Sequence, residues 1–283
     1  MFDIYVLNLP RATKRLKLIS KILSAQQLEF KVVSGVDGQE LSKGTNEIQF
    51  SKILHKKLSP AEVGCYLSHK KAWQMISTGN KKFGLVLEDD AVFGERLKNF
   101  LIELEKSDFT FDVLHVEDVG KRSSRFITTK DSERIIRDIS IYRLLSPAIF
   151  AGALVISKEG AQKILSLSST KIEPTDELLF NIYSPLYSEL ETYQTSEVLA
   201  WQSYQLSSEI KHLVSSSIPK GKVDRKAFGS AIHGLRKLIL KSKYLLWLSL
   251  LKNKKEIEIG QNELEKQYLA RLYLHFLRNG DGL

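Results

Sequence analysis

Apolar residues in the first 210 positions alternate between short continuous runs and helical periodicities. Residues 3–9 are rich in Ile, Tyr, Val and Leu, the pattern of a strand covered on both faces, and Pro10 ends the run. Leu16, Ile19, Ile22 and Leu23 then recur at helical spacing within residues 12–27. A second strand is predicted over 30–33, closed by the turn signal Ser34-Gly-Val-Asp-Gly38. Strand, helix and strand in so short a stretch point to a parallel α/β unit. Residues 39–57 are polar and read as irregular. The next helix start is fully written: Ser59 as N-cap, Pro60 in the first turn, Glu62 completing a capping box, and Leu58 with Val63 as a hydrophobic staple. That helix runs to 77 or 78, where Gly79 stops it.

Strands are predicted over 83–87, 112–116 and 151–156, and amphipathic helices over 94–106 and 158–167. Residues 121–143 read as a hairpin with a loop, and Pro174-Thr175 opens a short helix carrying Asp176. No internal repeat is present. The body is therefore α/β, with flanking helices on a mostly parallel sheet. In such sheets ligands sit at the carboxyl ends of strands. Glu88-Asp89-Asp90 follows one strand at that end, and Glu117-Asp118 follows another.

The 283 residues, 43% apolar, suffice for one large domain or two small ones, and a single cysteine excludes a disulfide framework and a Cys-rich zinc module. The net charge of +9 is unevenly placed. Residues 1–210 hold 27 basic and 27 acidic residues, whereas 211–255 hold 12 basic residues against one acid, Asp224. The boundary expected from this is a balanced body, 1–210, and a basic helical C-terminal extension, 211–283. Within the extension, 232–251 reads as a helix with Leu235, Leu238, Ile239, Leu246 and Leu250 on one face. Arg236, Lys237, Lys241 and Lys243 lie mainly elsewhere, Tyr244 and Trp247 at the margins, and Lys252, Lys254 and Lys255 follow. This is the pattern of a helix lying on an anionic bilayer; a dimerisation or body-packing helix is the alternative, and oligomeric state stays open. The body is neutral and no reader motif is present, so nucleic acid is not expected as a partner. Asp3 interrupts the first apolar run and the basic residues follow it, which reads as a strand and not a secretory signal. The run 244–251 is too short to span a bilayer. A cytoplasmic protein, peripheral on the inner membrane, is expected, and Cys65 fits a reducing compartment.

Three consecutive carboxylates repel one another, and a divalent cation relieves that cost. Hard ions such as Mg²⁺ or Mn²⁺ take one or two carboxylates and complete their shell with phosphate oxygens and water. Strand alternation puts Glu88 and Asp90 on one side and Asp89 on the other. The alternative is a solvated loop stabilising the next helix through its dipole. Arg11 and Arg15, four apart, are expected on one helix face toward phosphate, or else as a solvated helix start. Gly64 inside a helix points to another backbone packed close against it.

Several blocks, in order, resemble one known family. Tyr5-Val-Leu-Asn-Leu-Pro-Arg11 with Arg15, Ser59-Pro-Ala-Glu-Val-Gly-Cys-Tyr-Leu-Ser-His69 with Ala72-Trp73, and Leu85-Val-Leu-Glu-Asp-Asp-Ala91 are similar to motifs of glycosyltransferase family 25. So are Gly152-Ala-Leu-Val-Ile-Ser-Lys-Glu-Gly-Ala161, Pro174-Thr-Asp176, and Gln202 with Ser207-Ser-Glu-Ile210. The resemblance implies a GT-A-like, Rossmann-type mixed sheet, a UDP-sugar donor (UDP-galactose first), Mn²⁺ or Mg²⁺, inversion at the anomeric carbon, and a lipid-linked lipopolysaccharide or lipooligosaccharide core acceptor. It further implies Asp90, then Glu88, as metal ligands and Asp89 as a ribose or loop-structuring partner. Asn8, Leu9, Arg11 and Arg15 stand where the donor nucleotide and phosphates would lie, with Asp37 as a ribose or uracil contact or a turn residue. Ser68 and His69 become candidate donor contacts, while Trp73 and Cys65 read as core. Asp176 is the candidate general base, with Glu177, Glu117 and Asp118 as rivals. Two departures stand out: Ile149-Phe150-Ala151 replaces the Gly-Thr of many members, and residues 118–147 match no block.

Overall fold

The computed structural model describes residues 2–44, 49–118, 125–168, 172–213 and 230–279. The first unit is strand β1 (Asp3–Asn8), helix α1 (Thr13–Ala25) and strand β2 (Lys31–Ser34). The segment expected to be irregular holds a short helix α2 (Gly38–Gly44) and a two-residue hairpin, β3 (Phe50–Ser51) and β4 (Lys56–Lys57), elements too short to carry a readable period. Helix α3 (Pro60–Thr78) starts as its sequence dictates. Ser59 Oγ accepts from the Glu62 amide at 3.2 Å, and the Ser59 amide donates to Glu62 Oε2 at 2.8 Å. A Cβ on Gly64 would come within 2.4 Å of the Val36 carbonyl oxygen, so the turn after β2 does lie directly on α3.

Strands β5 (Phe83–Glu88) and β6 (Ala91–Phe93), helix α4 (Glu95–Lys106) and strand β7 (Val113–His115) follow. Next come the hairpin β8 (Arg125–Ile136) and β9 (Ile139–Leu144), strand β10 (Ala153–Ser157) and helices α5 (Lys158–Leu167) and α6 (Thr175–Phe180). The remainder is β11 (Thr192–Thr195), β12 (Ala200–Gln202), α7 (Ser203–Leu206), α8 (Ser208–Leu213), α9 (Ser230–Leu250), β13 (Lys255–Glu258) and α10 (Glu263–Asn279).

Nine strands form one mixed sheet of order β13-β8-β9-β11-β7-β10-β5-β1-β2. β2, β1, β5, β7, β11 and β8 run one way, and β10, β9 and β13 run against them, so most strands share a direction. Helices α3 and α5 pack on each other and over β10, and α3 also covers β1 and β5. Leu85, Val86 and Leu87 are fully buried, which explains why this strand reads as a continuous apolar run. Because β1, β2, β5 and β7 are co-directional, their carboxyl ends share one sheet edge. The amino end of β10 reaches the same edge, since that strand runs backwards between β5 and β7.

Part of the segment expected beyond residue 210 packs onto the body. β13 extends the sheet beside β8, and Leu269, Ala270, Tyr273 and Leu277 of α10 enter the same core as β1 and β5. Helix α10 touches α1, β6 and α7. Short elements with interspersed charge, such as Lys255–Glu258, gave no local signal of this docking. Of the basic extension, α9 stands apart in character. Tyr244 donates to the Leu145 carbonyl at 2.8 Å and Leu248 is buried, while Leu238, Leu245, Leu246 and Leu250 are exposed.

Candidate active site

The site forms where the co-directional strands end. β5 delivers Glu88, and the turn into β6 delivers Asp89 and Asp90. Asp89 turns toward β1 and α1: it accepts from Asn8 Nδ2 at 2.7 Å and pairs with Arg15 at 3.1 Å. Asp90 Oδ2 lies 3.8 Å from the same guanidinium, and its Oδ1 is buried without a hydrogen-bond partner. Glu88 turns toward α3, where Oε1 meets Cys65 Sγ at 3.5 Å and His69 Nε2 at 3.4 Å. β5 ends at Glu88, so strand alternation does not carry into the turn: Asp89 and Asp90 both approach Arg15, at 3.1 and 3.8 Å, while Glu88 faces α3.

A fourth carboxylate, Glu117, follows β7. Its Oε2 accepts from the Gly152 amide at 2.7 Å and the Ala153 amide at 3.1 Å, while Oε1 is buried without a partner. A fifth, Asp176, sits at the start of α6, where it accepts from the Glu177 amide at 2.9 Å and the Phe150 amide at 3.3 Å. Phe150 is held at φ 69°, a left-handed conformation unusual for a bulky side chain. This strained residue lies in the segment where the chain departs from the family motif.

These carboxylates feel one another. Burial, then the charges of Glu88 and Asp89, push Asp90 up to about 7. Burial raises Asp89 to about 6 against the opposing pull of Arg15 and Asn8. Burial and the Glu88 charge hold Glu117 well above the usual carboxylate range. Burial raises Asp176 as well, with Glu88 contributing. Glu88 itself is pulled down: burial would raise it, but the contacts with His69 and Cys65 and the charge of Arg15 outweigh that. The buried and unpartnered Asp90 Oδ1, beside carboxylates that resist joint ionisation, fits a hard divalent cation, to which Asp90 and Glu88 could offer oxygen donors.

The remaining sequence candidates fall into place around this cluster, with two corrections. Arg11 and Arg15 do not share a helix face. Pro10 and Arg11 form a turn and α1 starts at Thr13, so Arg11 donates to Asp37 at 2.6 Å while Arg15 alone reaches the acidic turn. Asp37 also accepts from the Gln39 amide at 3.0 Å. Cys65 is not simply core. It is half-buried with its thiol against Glu88, because α3 presents residues 65 and 69 on the same face. His69 is fully buried between Glu88 and Trp73 and reaches the site only through Glu88. Ser68 accepts from the Val36 amide at 2.8 Å and donates to the Gly64 carbonyl at 2.7 Å, so its hydroxyl ties α3 to the β2 turn. Leu9 contributes its carbonyl to the turn, accepting from the Ala12 amide at 2.7 Å. Glu177 faces Asn181, and Asp118 faces Gln261 and Lys266 of the C-terminal segment.

Sequence reasoning did not single out Tyr204 and Tyr273. The Ser203 amide donates to the Asp90 carbonyl at 2.8 Å, which sets α7 on the acidic turn. Burial and the charges of Glu117 and Asp90 push the Tyr204 phenol up to about 12. Tyr273 of α10 is buried beside the same turn, and burial with the Asp90 charge raises it to about 12. Nothing local marks either tyrosine; only the tertiary docking of α7 and α10 places them.

Comparison with known proteins defines the class as glycosyltransferases, since residues 1–179 match the pattern described as Glycosyltransferase family 25 (LPS biosynthesis protein). The chain belongs to that family. It is 28% identical to Lipooligosaccharide biosynthesis protein lic2B of Haemophilus influenzae over 71% of this chain and 76% of that protein. It is 25% identical to human Procollagen galactosyltransferase 2 over 72% of this chain, but spans only 34% of that longer protein. Among solved structures, a glycosyltransferase involved in glycosylation of the major capsid of PBCV-1 aligns with a TM-score of 0.38 at 12% identity, covering 75% of this chain and 98% of that one.

Proposed function

We propose that this glycosyltransferase moves a hexose, galactose first among candidates, from a UDP-sugar to a lipopolysaccharide or lipooligosaccharide core acceptor with inversion. The carrying observation is the acidic turn, in which Asp90 Oδ1 is buried without a partner, Glu88 stands beside it, and Arg15 faces it from α1. A hard cation, Mn²⁺ or Mg²⁺, on Asp90 and Glu88 would offset the charge developing on the leaving diphosphate. Arg15 adds a fixed guanidinium at the same edge, and Asn8 and Asp89 lock the carboxyl end of β1 to the turn. Asp37 and Arg11, joined to each other, border the nucleotide end. Asp176 is the proposed general base. Two backbone amides hold its carboxylate and burial raises its proton affinity, so it can take the acceptor hydroxyl proton as the glycosidic bond forms. The galactosyl preference draws support from the procollagen relative, and the acceptor class from the Haemophilus relative.

The protein is proposed to work at the cytoplasmic face of the inner membrane. No helix of the described residues is long and apolar enough to cross a membrane. Helix α9 instead presents Leu238, Ile239, Leu245, Leu246 and Leu250 to solvent, while Tyr244 and Leu248 hold it to the body. Exposed Lys241 and Lys243 flank that stripe, the arrangement that suits an anionic lipid surface.

The test of the transfer reaction is a panel of UDP-galactose, UDP-glucose and UDP-N-acetylglucosamine with core oligosaccharide and Mn²⁺, with the product anomer read by NMR. Metal-dependent consumption of UDP-galactose, lost at least about a hundredfold in Asp90→Asn, is the expected result. Full transfer by Asp90→Asn would refute the role of the acidic turn. A chain that binds glycan but consumes none of the three donors would instead be a non-catalytic binding module.

A further inference from the structure

Cys65, His69 and Glu88 bring three different ligand atoms to one point beside the acidic turn. Cys65 and His69 lie four residues apart on α3, and Glu88 closes the group from the end of β5. Glu88 Oε1 is 3.5 Å from Cys65 Sγ and 3.4 Å from His69 Nε2, and the three ligand atoms all lie within 4.8 Å of one another. Tetrahedral zinc, with bonds of about 2.3 Å to sulfur and about 2.0–2.1 Å to nitrogen and oxygen, sets its ligand atoms about 3.3–3.6 Å apart. Two edges of such a site are therefore already in place, and the third, at most 4.8 Å, needs to shorten by at most about 1.5 Å to close. His69 is fully buried and its Nδ1 has no hydrogen-bond partner. Ligation through Nε2 places the ring proton on Nδ1 and exchanges the Nε2···Glu88 hydrogen bond for bonds from both groups to the shared ion.

We infer that Cys65, His69 and Glu88 form a site for a thiophilic divalent cation of the zinc class, distinct from the oxygen-only position at Asp90. The chemistry of the donor set separates the two. A thiolate and an imidazole favour zinc, whereas carboxylates and water favour Mg²⁺ or Mn²⁺. On binding, the Cys65 S–H bond is lost, its proton goes to solvent, and sulfur, His69 Nε2 and Glu88 Oε1 each donate an electron pair to the ion. Three protein ligands leave a fourth position open to solvent or substrate. Because Glu88 belongs to both groups, a zinc ion here withdraws it from the acidic turn. Zinc occupancy and a Mn²⁺-loaded turn therefore compete.

The chain has one cysteine, so any thiolate–metal signal reports Cys65 alone. The full chain, stripped with chelator, is titrated with Co²⁺ and followed by the near-ultraviolet thiolate-to-cobalt charge-transfer band. The expected result is a saturating band at one equivalent that Zn²⁺ displaces, that Cys65→Ser abolishes, and that Asp90→Asn retains. His69→Gln should weaken Co²⁺ binding by about tenfold or more. Circular dichroism checks that each variant is folded, and Cys65→Ala serves if the serine variant is not. A wild-type protein with no thiolate band overturns the site, even if cobalt binds elsewhere. Loss of the band in a folded Asp90→Asn variant also overturns it, because the ion would then belong to the acidic turn. None of these readings depends on sugar transfer, so the zinc site and the transferase reading can fail separately.

Discussion

Replacing Asp90 by Asn should make the metal-free protein more stable while removing its function. Asp90 is held at about 7 in the fold against 3.8 for a free aspartate, because burial and the neighbouring Glu88 and Asp89 charges oppose its ionisation. A group raised in this way leaves stability intact below its unfolded value and subtracts from it as pH rises through the folded value. At about 1.4 kcal/mol per pH unit, the ionised side chain costs at most about 4 kcal/mol above pH 7. Part of that cost is shared with Glu88 and Asp89, which relax when either partner protonates, so about 2 kcal/mol is the expected gain on neutralising residue 90. For a chain of 283 residues the gain raises Tm by about 3–4 °C. Little is lost in exchange, since Oδ1 has no partner and Oδ2 is 3.8 Å from Arg15. The assay is a thermal melt of wild type and Asp90→Asn in chelator at pH 8 and pH 5, repeated at pH 8 with Mn²⁺ and UDP. The variant should melt higher at pH 8, the difference should shrink at pH 5, and only wild type should be stabilised by Mn²⁺ with UDP. A variant that melts lower than wild type at pH 8, or whose advantage does not change with pH, refutes the account of the acidic turn as a strained, cation-seeking group.

Other substitutions probe other parts of the argument. Arg15→Ala removes the guanidinium that both Asp89 and Asp90 meet and should cost about 3 kcal/mol. That loss should be larger at pH 8 than at pH 5, since both carboxylates titrate upward without their cation; equal melting losses at the two pH values would count against it. Gly64→Ala should lower stability by about 1–2 kcal/mol in chemical denaturation, despite the better helix propensity of alanine, because its Cβ would meet the Val36 carbonyl oxygen at 2.4 Å; a gain in stability would show that the turn yields. The double variant Leu246→Asp/Leu250→Asp alters two exposed side chains and should leave the melting temperature unchanged while releasing the protein from anionic vesicles in a flotation assay. Retention on vesicles at low salt would exclude α9 as the contact.

How much of this was legible before folding depends on the range over which each signal acts. The β1–α1–β2 unit, the capped start of α3 and the apolar β5 strand are written in neighbouring residues, through capping chemistry and period. Residues 88–90 likewise announce themselves as three carboxylates at a strand end. The direction in which each points does not follow from that run. Asp89 is committed to Asn8 and Arg15, Glu88 to α3, and Asp90 is left half-satisfied, because three elements far apart in sequence converge on that edge. Arg11 and Arg15 show the limit of periodicity: four-residue spacing means a shared face only inside a helix, and the turn at Pro10 puts Arg11 outside it.

The charge pattern divides in the same way. By itself the sequence determined that the body is balanced and that 12 basic residues gather in 211–255. It also determined the parallel α/β plan and the acidic turn, since local propensity, capping and like-charge placement are properties of adjacent residues. Tertiary structure decided that the chain after this stretch returns to the body. β13 pairs with β8, and Tyr273 is buried beside Asp90, because hydrogen bonding along a sheet edge and burial in a shared core reward contacts that no local window contains. It also decided that Cys65, His69 and Glu88 meet, since a helix face and a strand end become neighbours only when α3 packs over β5.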